Sequence, residues 1–167
     1  MWLALTDLFR ARWTDAIHEE WIRSLLEDRP DLSRDRLART RDLMNANVRG
    51  CLVTGYEDLI EALALPDPDD RHVLAAVIQA RADVIVTKNL RDFPAEVLGC
   101  CGMEAQHPDA FIAHLIDLAP GCIHQAAKQQ RATLKNPPMS AEEFLDTLER
   151  QELSETVARL RTVIHLL

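Results

Sequence analysis

The segment Asp83-Val84-Ile85-Val86-Thr87 constrains this chain more than any other. Three β-branched residues run without polar alternation, the pattern of a strand covered on both faces. Such strands belong to parallel sheets, whose neighbours are joined by crossover helices. The flanking sequence agrees. A helix is expected over 69–82, with Val73 and Val77 on its apolar side, and a further short strand over 103–106. A chain of 167 residues, 47% of them apolar, can bury one full domain core and still carry a helical appendage.

The first half repeats this alternation. Residues 1–8 read as the tail of a helix, and 9–14 (FRARWT) as a short strand. Ile17, Trp21 and Leu25 recur every four residues and define a helix over 15–28, stopped by Pro30. Ser33 caps the next helix, to about Asn47, and 51–54 (CLVT) is a second buried strand. A short helix over 56–63 ends at the Pro66–Pro68 segment. Beyond residue 106 only helical periodicity remains, over 108–118, 121–134, 140–150 and 154–166, with Ser140 and Glu143 forming a capping box. The expected class is α/β, with a sheet-containing domain over 1–107 and a helical module over 108–167.

A net charge of −8 argues against a passive nucleic-acid binder, which gathers phosphates with a basic excess. It argues less against a metal-dependent nuclease, because a bound cation reverses the field of clustered carboxylates. Cys51, Cys100, Cys101 and Cys122 have neither zinc nor disulfide spacing and read as buried reduced thiols in a cytoplasmic protein. No apolar run is long enough to span a membrane, and Met1 to Phe9 lacks the basic lead of a signal peptide. With five scattered glycines, no phosphate-binding loop is present. His18, His72, His107, His114, His124 and His165 have no metal-ligand spacing, so packing accounts for them.

Carboxylates supply the chemistry. In Leu65-Pro-Asp-Pro-Asp-Asp70, Asp67 is a good N-cap, Pro68 suits the first helical position, and Asp69 complements the helix dipole. Asp70 lies one turn further on, where it can face the end of the sheet. The helix that follows is roughly 18 Å long, and the next strand returns over roughly 16 Å. Asp70 and the loop Thr87–Asp92 therefore reach the same sheet edge, where ligands of open parallel sheets bind. Asp92 serves equally well as a helix cap before Phe93-Pro94. Glu19 and Glu20 begin at that edge too, and Glu20 borders the buried side set by Ile17 and Trp21. Oxygen ligands from several elements suit Mg²⁺ or Mn²⁺.

The stretch from Leu65 to Pro94, LPDPDDRHVLAAVIQARADVIVTKNLRDFP, resembles the second half of a PIN domain. It is most similar to VapC-type toxin ribonucleases whose last motif reads V-T-x-N-x-x-D-F-P. WTDAIHEEW resembles their second acidic motif, and KQQRATLKNPP with SAEEFLDTLERQ resembles the helical extension of that branch. The resemblance implies a PIN-like parallel sheet sandwiched by helices, followed by the C-terminal helical module. The implied activity is Mg²⁺-dependent (or Mn²⁺-dependent) endoribonuclease of a type II toxin–antitoxin system. RNA is then the substrate and an antitoxin the cognate partner, with room for a homodimer and no role for a membrane. Glu20 matches the second acid, with Glu19 the less favoured register, and Asp70 matches the third. Asn89 stands where a fourth acid is usual, so Asp92 is expected to supply that charge while Thr87 holds the loop.

PIN domains open with an apolar strand ending in Asp-x-Asn, and this sequence starts after that motif. The expectation is a domain lacking its first strand, marginal in stability and doubtful in activity by itself. The alternative is a catalytically inactive PIN remnant that binds RNA or an antitoxin. A structural interaction protein with capped-helix acids ranks third. RNA contact is expected from Lys128, Arg131 and Lys135, which share one face if their helix extends to 135.

Overall fold

Helices dominate the computed structural model, which describes residues 2–135 and 137–167; Met1 and Asn136, both within segments read above, lie outside the described residues. In chain order the elements are α1 (Asp15–Asp28), α2 (Arg34–Asn47), α3 (Arg71–Ala80), β1 (Val84–Val86), α4 (Ala95–Gly99) and β2 (Glu104–Gln106). They are followed by α5 (Pro108–Leu118), α6 (Pro120–Thr133), α7 (Ala141–Arg150) and α8 (Ser154–Arg161). Short 3₁₀ turns lie at Trp2–Leu5, Glu57–Ala62, Pro68–Asp70, Leu90–Asp92 and Ile164–Leu166. The class is mixed α/β, mostly helical. Among the described residues no helix is long and apolar enough to cross a membrane.

β1 and β2 pair with each other. The Asp83 carbonyl accepts from Glu104 N–H at 3.0 Å and the Gln106 carbonyl accepts from Thr87 N–H at 3.0 Å, the staggered pattern of a parallel ladder. The strand is less covered than its composition suggests: Ile85 is buried, but Val86 is 45% exposed. The two other expected strands are reduced to a single parallel bridge between Trp13 and Leu52. Competition explains this. The Thr14 side chain already accepts from Ile17 N–H as the cap of α1, so the strand at 9–14 stops at Trp13. Gly55, at φ +73°, turns the chain just beyond 51–54.

The chain divides into two compact units. One comprises Met1–Phe9, Val86–Lys88 and Gln106–Leu167; the other comprises Arg10–Ile85 and Asn89–Ala105. In the first, Leu115, Ile123, Phe144, Leu145, Val157 and Leu160 form the centre of an apolar core. Phe9 meets Phe111 edge-on at 5.1 Å between ring centroids. The capping box at Ser140 and Glu143 starts α7. Asp109 ties α5 to α8 by accepting from the backbone N–H groups of Glu155 and Thr156, both at 2.8 Å. Burial opposes the Asp109 charge, but these bonds prevail and hold its carboxyl below the usual range.

In the second unit, α3 buries Leu74, Ala75 and Ala76. Leu74 joins Ile85, Phe93, Leu98 and Met103, while Ala75 and Ala76 join Val53 and Tyr56. α1 and α2 are joined differently, by a partly buried polar network centred on the buried His18. Asn45 Oδ1 accepts from Trp13 Nε1 at 2.7 Å and lies 3.0 Å from His18 Nε2. Trp21 Nε1 donates to His18 Nδ1 at 2.9 Å, so Nε2 is the ring nitrogen that carries the proton toward Asn45. The cysteines are all free, yet only Cys51 is buried; Cys100, Cys101 and Cys122 lie at helix ends or on an exposed helix face, where no core claims them.

Candidate metal centre

Asp67 and Asp70 begin and end one tight turn. The Asp67 carboxylate accepts from Asp69 N–H at 2.9 Å and caps the 3₁₀ turn Pro68–Asp70, with proline at its first position. In a 3₁₀ turn residues i and i+3 eclipse, so the Asp67 and Asp70 side chains emerge on the same side. Asp69 is exposed and takes no part. α3 carries the chain away from Asp70, and β1 brings it back to the turn Leu90–Asp92. One carboxylate oxygen from each of Asp67, Asp70 and Asp92 lies within 4.8 Å of the others.

Asp70 registers this crowding. Burial, then the charges of Asp92, Asp67 and Glu20, push its carboxyl above the usual range, while His72 opposes them. Asn89 donates its side-chain amide to Asp92 and fixes that carboxylate. Glu20, from α1, bonds His72 Nε2 through Oε1 at 2.9 Å. Glu19 faces elsewhere and is engaged by Arg34 and Arg41.

The donor set fits a hard divalent ion. Every candidate ligand is a carboxylate oxygen, with no thiolate or imidazole among them. Two oxygens each about 2.1 Å from one Mg²⁺ ion stand about 3.0 Å apart in adjacent positions and about 4.2 Å in opposite ones, so acids gathered within 4.8 Å of one another are near the spacing a shared ion imposes. The mutual repulsion felt at Asp70 is what such an ion relieves.

The sequence reads Asp67 mainly as a helix cap and His72 as surface or core packing. The structure gives each a second relation, Asp67 to the other acids and His72 to Glu20. The Asp67 signal was the i, i+3 spacing within D-P-D-D. Thr87 belongs to the other unit and donates its backbone N–H to Gln106. The three basic residues do not form one face. α6 ends at Thr133, which leaves Lys135 beyond the helix. The Arg131 guanidinium donates inward to the Met139 and Leu167 carbonyls, at 2.9 and 3.0 Å. Lys128 alone sits exposed on the helix.

Comparison with known proteins adds two findings. Residues 108–162 match the family described as VapC50 C-terminal domain. Over 97 residues the chain is 38% identical to a curated protein of Mycobacterium tuberculosis (strain ATCC 25618 / H37Rv) named "Putative ribonuclease VapC50". That alignment covers 58% of this chain and 57% of the relative, so the chain spans little more than half of that protein's length. No solved structure matches. Both matches thus lead to the VapC50 name, one over the helical C-terminal residues and the other over 97 residues of the chain.

Proposed function

We propose that this chain is a divalent-metal-dependent endoribonuclease toxin of a type II toxin–antitoxin pair, with a PIN-like fold. The observation that carries the reading is the approach of Asp67, Asp70 and Asp92 to within 4.8 Å. Kinship with a protein named as a ribonuclease supports it. Residues 1–107 hold the chemistry in this reading, and 108–167 are a helical extension. The substrate is RNA, the partner an antitoxin, and the setting the cytoplasm.

Asp67, Asp70 and Asp92 hold Mg²⁺ or Mn²⁺, with Glu20, which bonds His72 and stands outside that group of three, as a further ligand. When bound, such an ion acidifies water and offsets charge on the phosphodiester oxygens. Asn89 keeps the Asp92 carboxylate from turning away, and Asp67 keeps the turn closed through its bond to Asp69. Thr87 anchors the loop through its place in the β1–β2 ladder. Hydrolysis then joins the water oxygen to phosphorus and breaks one P–O ester bond, and the departing oxygen takes up a proton. Of the three cations, Lys128 is the one retained for RNA contact.

The test is cleavage of a labelled RNA by the chain with Mg²⁺, with Mn²⁺, and with EDTA. Cleavage is expected with either ion, abolished by EDTA, and reduced at least a hundredfold in Asp70→Asn, the order of loss for an essential electrostatic group. RNA bound but never cut, under all ions, would favour the inactive-remnant reading instead.

A further inference from the structure

We propose that His72 is a positioning residue for the metal centre, holding the Glu20 carboxylate in a ligating orientation; this rests on the reading of the acidic site given above. A glutamate on a helix has three rotatable side-chain bonds, and Glu20 is 42% exposed at the side chain, so packing alone does not orient it. His72 does. Its side chain is only 12% exposed, and it stands two residues after Asp70 on the first turn of α3.

The hydrogen-bond pattern is one-sided. A carboxylate only accepts, so the 2.9 Å contact puts a proton on His72 Nε2. Nδ1 is buried and has no partner among the described residues. A histidine kept for stability would be expected to satisfy both nitrogens, as His18 does within the same unit. His72 instead directs a single donor at one oxygen of one acid. That bond occupies Glu20 Oε1 and leaves the lone pairs of Oε2 for a cation. It also spans two elements, because Glu20 lies on α1 and His72 on α3, so the α1 acid is referenced to the turn that carries Asp70. Glu20 is near enough for its charge to be felt at Asp70. Hydrogen bonds behind metal ligands typically change metal affinity about 10–100-fold when lost.

Glutamine and asparagine separate this role from packing. The amide nitrogen of glutamine sits near the position of Nε2, and that of asparagine near Nδ1. The full chain is titrated with Mn²⁺, following free Mn²⁺ by its paramagnetic resonance signal, and each variant is melted without metal. His72→Asn should weaken Mn²⁺ binding about tenfold, and His72→Gln should restore most of it. Glu20→Gln should weaken binding too, and His72→Asn added to it should cost no further affinity. Equal losses in His72→Gln and His72→Asn would overturn the proposal, as would losses that add in the double variant. So would an affinity loss in His72→Asn that merely follows its melting temperature. Asp70→Ala is the separate control. If it leaves the Mn²⁺ titration unchanged, the acidic site itself has been misread and the role of His72 falls with it.

Discussion

Asp109 and Asp70 both stand where a helix begins, Asp109 in the first turn of α5 and Asp70 just before α3, and their surroundings treat them oppositely. Asp109 receives two backbone N–H groups from α8, and its charged form is favoured. Asp70 receives other carboxylates, and its charged form is opposed. The unit containing Asp109 is organised around an apolar core, and its α7 opens on a complete capping box. The unit containing Asp70 divides its apolar contacts between two smaller clusters and brings like charge together from two separate turns. One carboxylate completes a fold. The other weakens it unless something cationic arrives, which is the usual signature of a functional group rather than a structural one.

The largest effect is expected in the core of the first unit. Leu145 is fully buried among the helices of that core. Leu145→Ala should cost about 2–5 kcal/mol, read as a shift in denaturant midpoint. A cost under about 1 kcal/mol would mean that this core is not the principal one.

Next comes Asp109→Ala, which removes a bridging cap and should cost about 1–2 kcal/mol at neutral pH. The pH dependence follows from its lowered carboxyl. The unfolded chain takes up this proton near pH 4, before the folded chain does. The stabilisation is therefore fully present above that pH and is lost as pH falls through the folded value. Stability measured from pH 6 to pH 2 should show a shallower acid limb in the variant.

The smallest effect has the opposite sign. With a raised carboxyl, folded Asp70 holds its proton longer than the unfolded chain does. Without metal, stability should fall as pH rises through that window. Asp70→Asn should remove this slope and raise the metal-free melting temperature slightly. Added Mn²⁺ should stabilise the parent chain and leave the variant unchanged. A variant that melts lower than its parent without metal would break the contrast with Asp109.

Local signals carried most of the helices. α1, α2 and α7 start where Thr14, Ser33 and Ser140 cap them, and α5 and α6 follow their apolar periods. The early strands failed because a strand depends on partners distant in sequence, and Thr14 was already engaged by a helix. The approach of Asp70 and Asp92 was legible because a helix and a strand of similar length return the chain to its starting edge. The Glu20–His72 pair was not, since 52 residues separate them and no periodicity links them. Arg131 was misjudged for a related reason. Its spacing from Lys128 and Lys135 suggested a cationic face, but a guanidinium can also close a helical fold by donating to free carbonyls.

The network around Asn45 has an optical consequence. Of the three tryptophans in the chain, two have their indole N–H groups held by this one asparagine–histidine pair. Their rings lie 5.7 and 6.0 Å from the His18 imidazole. Indole emission responds to the polarity and hydrogen bonding around its N–H, and Trp21 is the immediate neighbour of Glu20 on α1. The chain thus contains a native fluorophore beside its candidate ligand, so ion capture that shifts α1 would be visible as a change in emission, without any attached dye.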